Sequence, residues 1–337
     1  MSRKPFSPLP VEKLKTKPLA ERKSKVSVEL FARAVGYGQS VSQFLDGLPK
    51  ILAAKDLLEI ADRVAQAVRE EKGVILALGA HVIKCGLAPV LIDLMQRGVI
   101  SGLAFNGAGV IHDYELAIHG QTSEDVDQAI VRGEFGMAEE TAVQLNQAIN
   151  EGVSAGCGLG EAVGKYLTER NPPFVNFSLF AAAYRLKIPA TVHVAIGTDI
   201  IHMHPEARPD LLGKGSMLDF RLFCSAITSL HQGGVYFNIG SAVILPEVFL
   251  KALTLVRNLG YPLTDFTTVN LDFIQHYRPM TNVVRRPIIG GGQGYSLIGH
   301  HEIMIPLLAA AIFDRLGPCP DHGTGQMLPE PPESRCG

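Results

Sequence analysis

The chain has 337 residues, enough for two small domains or one large α/β domain at about 150 residues per domain. Hydrophobic residues make up 47% and charged residues 19%, so core material is ample and general disorder is excluded. Lys and Arg number 31 against 33 Asp and Glu, and the formal charge of −2 rules out a nucleic-acid binder that relies on bulk positive charge.

The apolar runs, such as Ile305 to Phe313, fall far short of the ~20 residues that span a bilayer, and no basic-then-apolar leader opens the chain. Five cysteines, spread from Cys85 to Cys336, form neither a CxxC pair nor a disulfide framework. The pattern reads as a reduced cytoplasmic protein with no membrane or nucleic-acid partner. Residues 1–25 hold eight Lys/Arg and two Asp/Glu, and the rest of the chain carries −8. This Pro- and Lys-rich opening reads as a mobile basic arm, either solubilising or laid across an acidic neighbouring subunit. The Pro- and Gly-rich stretch 317–337 reads as a disordered tail, which leaves 26–316 as one α/β domain.

Between the tails, helix and strand alternate. Residues 49–71 place Ile51, Leu57, Ile60, Val64 and Val68 on one helical stripe, with Gly73 as its stop. Val74–Leu78 is a continuous apolar run of the kind buried on both faces of a parallel sheet, ending in Gly79-Ala80-His81. A helix over 87–96 and a strand over 99–105 follow, the strand ending in Asn106-Gly107-Ala108-Gly109. The region 122–187 reads as largely helical, with Thr122 or Ser123 as an N-cap. A strand over 190–196 runs into Gly197-Thr198-Asp199, and a helix is predicted over 217–231. Val235–Ile239 is again a strand, ending in Gly240-Ser241, followed by a helix over 246–259, a strand over 266–271 and a helix over 304–316. Gly290-Gly291-Gly292-Gln293-Gly294 has no clear strand before it and reads as a flexible loop.

At least four apolar strands thus end in small or polar turns that begin helices. Right-handed crossovers put such turns on one edge of a mostly parallel sheet, where exposed helix N-termini favour anions such as a pyrophosphate. The GxGxxG fingerprint is absent, and Asn106-Gly107-Ala108-Gly109 approximates only its first half.

The segments Ala80-His81-Val82-Ile83-Lys84-Cys85-Gly86, Asn106 to Asp113 and Gly197-Thr198-Asp199 resemble deoxyhypusine synthase and its bacterial relatives. Tyr277-Arg278-Pro279 and Ile305-Pro306-Leu307-Leu308 are similar to that family's C-terminal part, and the likeness runs in order over residues 70–315. It implies a Rossmann-like NAD domain, homotetramers with sites at subunit interfaces, and NAD-linked oxidation of spermidine. In that family an aminobutyl imine forms on a lysine and passes to a protein lysine.

By that resemblance, NAD contacts are expected from Ala80, His81, Cys85, Asn106, Gly107, Ala108, Gly109, Asp113, Thr198, Gly240, Ser241, His300 and His301. The family's acidic pair falls on Ile111 and His112, and its Lys-His-His becomes Leu245-Pro246-Glu247. Its imine-forming lysine falls on Pro287, with Arg285 at the neighbouring Trp. Proline forms no imine and arginine stays protonated, so the lysine route is not expected. Asp199, at a strand's end, is the expected anchor for a ligand amine or ribose hydroxyl. His112, an imidazole beside Asp113 and Glu115, is the expected general base. Arg285, Arg286 and His202 are candidate substrate contacts.

These residues predict an NAD-linked enzyme on an amine substrate, formally a transferase or dehydrogenase and a homo-oligomer. A non-catalytic dinucleotide-binding or assembly protein is one alternative. A metal-assisted hydrolase using His202 and His204 is another, because two histidines two apart on an extended segment point the same way.

Overall fold

The computed structural model describes residues 6–318. Six strands form one sheet: β1 (Val74–Leu78), β2 (Gly102–Asn106), β3 (Ala190–His193), β4 (Val235–Ile239), β5 (Phe266–Asp272) and β6 (Gly292–Ile298). Their spatial order is β3-β2-β1-β4-β5-β6, and every neighbouring pair is parallel. This is a doubly wound, Rossmann-type α/β fold. The winding reverses between β1 and β4, and such switch points open a crevice at the carboxyl ends of the strands.

The helices follow from the same alternation. After α1 (Val41–Asp46), α2 (Leu52–Arg69) leads into β1, and α3 (Ala80–Lys84) and α4 (Ala88–Gln96) carry the chain to β2. The long crossover to β3 holds α5 (Gly107–His119), α6 (Val126–Arg132), α7 (Leu145–Ser154), α8 (Leu159–Arg170) and α9 (Leu179–Leu186). Then come α10 (Pro209–Ile227), α11 (Ile244–Asn258), the single turn α12 (Tyr277–Pro279) and α13 (His301–Leu316).

All five residues of β1 and of β4 are buried, and alternate side chains serve two cores. Val74, Leu76, Leu78, Phe237 and Ile239 join the larger core with α2, α4, α9 and α13. Ile75, Ala77 and Tyr236 join the smaller one with α10 and α11, where Tyr236 stacks on Phe249 with ring centres 3.7 Å apart.

One expectation is revised: the glycine run at 290–294 is not a loop throughout, because Gly292 opens β6, paired with Phe266 of β5. The region 122–187 is largely helical, as several helices joined by turns. Residues 6–43 are exposed apart from the half-covered Leu30. The expected tail beyond Pro318, like residues 1–5, lies outside the described residues. No helix among the described residues is long and apolar enough to cross a membrane.

Candidate functional site

The turns that follow β3, β2, β1 and β4 lie side by side on the carboxyl rim, because those four strands are consecutive in the sheet. A cavity of about 490 Å³ opens over three of them. Its walls come from Lys84 of α3, from Ala108, Ile111, His112, Glu115 and His119 of α5, and from Thr198, Asp199 and Ile200 after β3. The remaining wall is a strap between Gln121 and Ala138.

Helix α5 starts at this rim because Asn106 caps it, its side chain accepting from Gly109 N at 3.1 Å. Asp199 lies across that start. A Cβ added to Gly107 would sit 2.0 Å from Asp199 Oδ2, so only a glycine admits the carboxylate here. Asp199 is 9% exposed, and burial raises its pKa against the opposing pull of His202 and a Thr198 hydrogen bond. His202 packs behind it. Its Nδ1 accepts from Gly197 N (3.1 Å) and Asp199 N (3.3 Å), which leaves the proton on Nε2, 3.9 Å from Asp199 Oδ2. Neither of those two buried atoms has a hydrogen-bond partner.

On the facing wall, His112 and Glu115 share one side of α5 at i and i+3. Thr122 donates its hydroxyl proton to Glu115 and its oxygen lies 2.6 Å from His112 Nδ1, while Thr141 donates to the other Glu115 oxygen at 3.0 Å. Thr122 is therefore not the N-cap of α6, a position held by Asp125. Burial, and secondarily the Lys84 charge, pushes the His112 imidazole down to about 4, so it is neutral at physiological pH. We expect an NMR titration of His112 to show a midpoint near 4, and Lys84→Met to raise it. A wild-type midpoint close to 6.5 would contradict the burial of this ring.

The other predicted residues fall elsewhere. Gly240, Ser241, His81, His300 and His301 gather at the β1/β4 switch point, beside the cavity rather than in its wall. A Cβ on Gly240 would meet His301 Cε1 at 2.8 Å, and the His81 and His301 rings lie 5.9 Å apart. His301 is 1% exposed with neither ring nitrogen partnered, and burial lowers its pKa. His300 lies parallel to Phe273, the Cys85 thiol reaches Glu302 at 3.7 Å, and Ser241 Oγ accepts from Leu245 N.

Asp113 is corrected from a cofactor contact to a core residue. Fully buried, it accepts from the Ser178 hydroxyl and from Leu179 N at 2.7 Å, which pins α9 to α5. Arg285 and Arg286 are also remote from the cavity: Arg285 donates to Thr281 Oγ1 (3.0 Å) and Arg286 to Asn282 Oδ1 (2.8 Å). Pro287 lies on the stretch returning to the opposite edge of the sheet, its carbonyl bonded by Arg257. Pro287 is not among the residues that line the cavity, and the lysine in the cavity wall is Lys84.

His204 donates through Nε2 to Gly136 O at 2.8 Å instead of joining His202. No group of three or more potential metal ligands occurs among the described residues, which removes the geometric basis for the hydrolase reading. His193 and Cys224 are buried in the core, whereas Cys157 is half-exposed. Sequence reasoning overlooked Lys84 and Thr141 in this region. The i, i+3 spacing of His112 and Glu115 was the one signal that pointed toward the facing wall.

No family model and no curated protein matches the sequence. Among solved structures, unliganded AgrE is similar at 13% identity and a TM-score of 0.50, over 78% of this chain and 33% of that one. A conserved protein from Methanococcus maripaludis S2, provisionally assigned as LOR/SDH, matches at 15% identity and a TM-score of 0.49, over 78% and 70%. A protein provisionally assigned as a deoxyhypusine synthase, from Entamoeba histolytica, matches at 9% and 0.46, over 82% and 96%. The chain thus spans about a third of AgrE, a protein also solved in a ternary complex with ornithine and NAD+. At these identities the likeness is one of fold.

Proposed function

We propose that this chain is a nicotinamide-dinucleotide-linked enzyme acting on a small amine, as a dehydrogenase or a group transferase. The observation that carries the reading is the reversal of winding between β1 and β4, beside a rim cavity that holds a buried carboxylate and a neutral imidazole. The switch point suits a dinucleotide. Gly79 lies against the Gly240 carbonyl and Gly240 against the His301 ring, so the two turns meet closely there, and the buried ring nitrogens of His301 have no hydrogen-bond partner. When bound, the dinucleotide would supply a hydride acceptor.

The chain's own residues would do the rest. The turns at Gly79-Ala80 and Gly240-Ser241 would hold the cofactor, and Asp199 would hold the amine by its charge. His112 would accept a proton from the substrate at Nε2, which it can do because it is uncharged at neutral pH. The apolar side chains exposed along the rim, Val243, Phe273, Ile274 and Tyr277, favour assembly of several copies, with a homotetramer as the expected form.

The test is a thermal-shift titration. NAD+ at a hundredfold excess over its dissociation constant should stabilise the fold by about 2.7 kcal/mol, a rise of a few degrees. Spermidine or another small amine should then give NADH absorbance, and Asp199→Ala should abolish it. A wild-type melting temperature unmoved by NAD+ would refute the dinucleotide reading. NAD+ binding without turnover on any amine would turn it toward a binding protein.

A further inference from the structure

The strap between Gln121 and Ala138 closes one side of the cavity, and it is tied to the body at both ends. At its far end, Gly136 lies against Ile200 of the Asp199 turn and its carbonyl is bonded by His204, while its N–H donates to Glu124 within the strap itself at 2.8 Å. At its near end, the tie is Thr122.

Donor and acceptor accounting at Thr122 has one solution. Glu115, as a carboxylate, only accepts, so the Thr122 proton goes to it. The Thr122 oxygen is then an acceptor, and the His112 nitrogen 2.6 Å away must be the donor. That fixes the neutral imidazole as the Nδ1–H tautomer and leaves the lone pair on Nε2, which makes no hydrogen bond among the described residues and belongs to a ring in the cavity wall. The third group, Glu115, is held in turn by Thr141 from the start of the next helical segment. A base oriented by a hydrogen-bonded partner, itself oriented by a carboxylate, is the arrangement by which sites fix a tautomer.

We infer that Thr122 is the positioning residue of this site: the strap hydroxyl sets the His112 tautomer, so the base is presented only while the strap lies closed. Lifting the strap removes the acceptor from Nδ1, and the imidazole is then free to place its proton on Nε2, where it can no longer take one from a substrate. The cavity accordingly selects a substrate that brings an N–H or O–H donor to Nε2. The inference rests on the catalytic reading of the cavity for its consequence, though not for its geometry.

Nitrogen-resolved NMR of the histidine side chains tests it on the whole chain, with or without NAD+. Wild type should show His112 with a protonated Nδ1 and an unprotonated Nε2. Thr122→Val, which keeps the shape and loses the hydroxyl, should move the proton to Nε2 or average the two, and Thr122→Ser should restore the wild-type pattern. With NAD+ and an active amine, kcat of Thr122→Val should fall about tenfold or more with KM little changed, and Ser should rescue it. A wild-type spectrum with the proton on Nε2 overturns the inference even if the variants fail to fold. An unchanged tautomer in Thr122→Val overturns it as well. Because the spectrum needs no cofactor, failure of NAD+ to bind would sink the dinucleotide reading and leave the tautomer result standing.

Discussion

Gly79→Ala is expected to destabilise the fold by about 3 kcal/mol and to abolish NAD+ binding even in the fraction that stays folded. The added methyl would sit 2.1 Å from Gly240 O and 2.6 Å from Gly240 C. Both are backbone atoms, so no rotamer change relieves the overlap. The two turns are also joined by Gly79 N donating to Ile239 O at 2.8 Å, and β1 and β4 are paired from Val74↔Val235 to Leu78↔Ile239. Relief must therefore come from separating the strands at the switch point, where the sheet reverses and the dinucleotide is proposed to lie. Gly213→Ala is the control. It lies within α10 with nothing near its added Cβ, so it should stabilise by about 0.5–1 kcal/mol through helix propensity and leave NAD+ binding unchanged. Urea unfolding and NAD+ thermal shifts on both variants read the two effects. A Gly79→Ala protein as stable as wild type, or one that still binds NAD+, would mean that the rim is not a tight junction.

The strands that organise this rim were legible because burial on both faces demands apolar runs, unbroken in β1 and interrupted only by Asn238 in β4. Strand β6 escaped because an edge strand needs no such run. Its first residues, Gly292-Gln293-Gly294, carry no apolar signal, and pairing with β5 extends them anyway. The site was legible in part for a similar reason. His112 and Asp113 are adjacent in sequence, and reading them together treated neighbours along the chain as neighbours in space. One residue along a helix is about 100° of rotation, so Asp113 turns into the core with Tyr114, while Glu115, three residues from His112, stays on its face. The Thr122 bond to His112 could not be read at all. It joins a helix to a strap ten residues on, and nothing local distinguishes that hydroxyl from a helix cap. Likewise Gly107 gave no sign that it yields to Asp199, because the two meet only when β2 and β3 pair.

The second large effect concerns Asp219, a carboxylate in the middle of α10 that sequence reading passed over. It is fully buried, and one oxygen, Oδ2, accepts from Val192 N of β3 at 2.7 Å and from Gly160 N at the start of α8 at 3.1 Å. It thereby ties an edge strand of the sheet to a helix N-terminus that has no side-chain cap of its own. Asp219→Ala orphans two buried N–H groups and leaves a void, so a loss of about 3–5 kcal/mol is expected.

Burial raises the Asp219 pKa from 3.8 to about 7, against the opposing effect of its backbone hydrogen bonds. Between these values the folded chain keeps a proton that the unfolded chain releases, so this group's contribution declines as pH rises through that window. Asp113, raised to about 6, acts in the same direction, while His112 and His193, lowered to about 4, act oppositely below pH 6.5. The wild-type curve alone therefore mixes these contributions, and the difference between variants isolates Asp219. Asp219→Asn copies the protonated acid, with its oxygen accepting both N–H groups and its amide nitrogen at Oδ1, which has no partner in the wild type either. Its stability relative to wild type should rise by about 2–3 kcal/mol between pH 5 and pH 8. Parallel unfolding curves for the two proteins across that range would show that Asp219 is ionised in the fold throughout, and that the junction of β3 and α8 is wetter than its burial indicates.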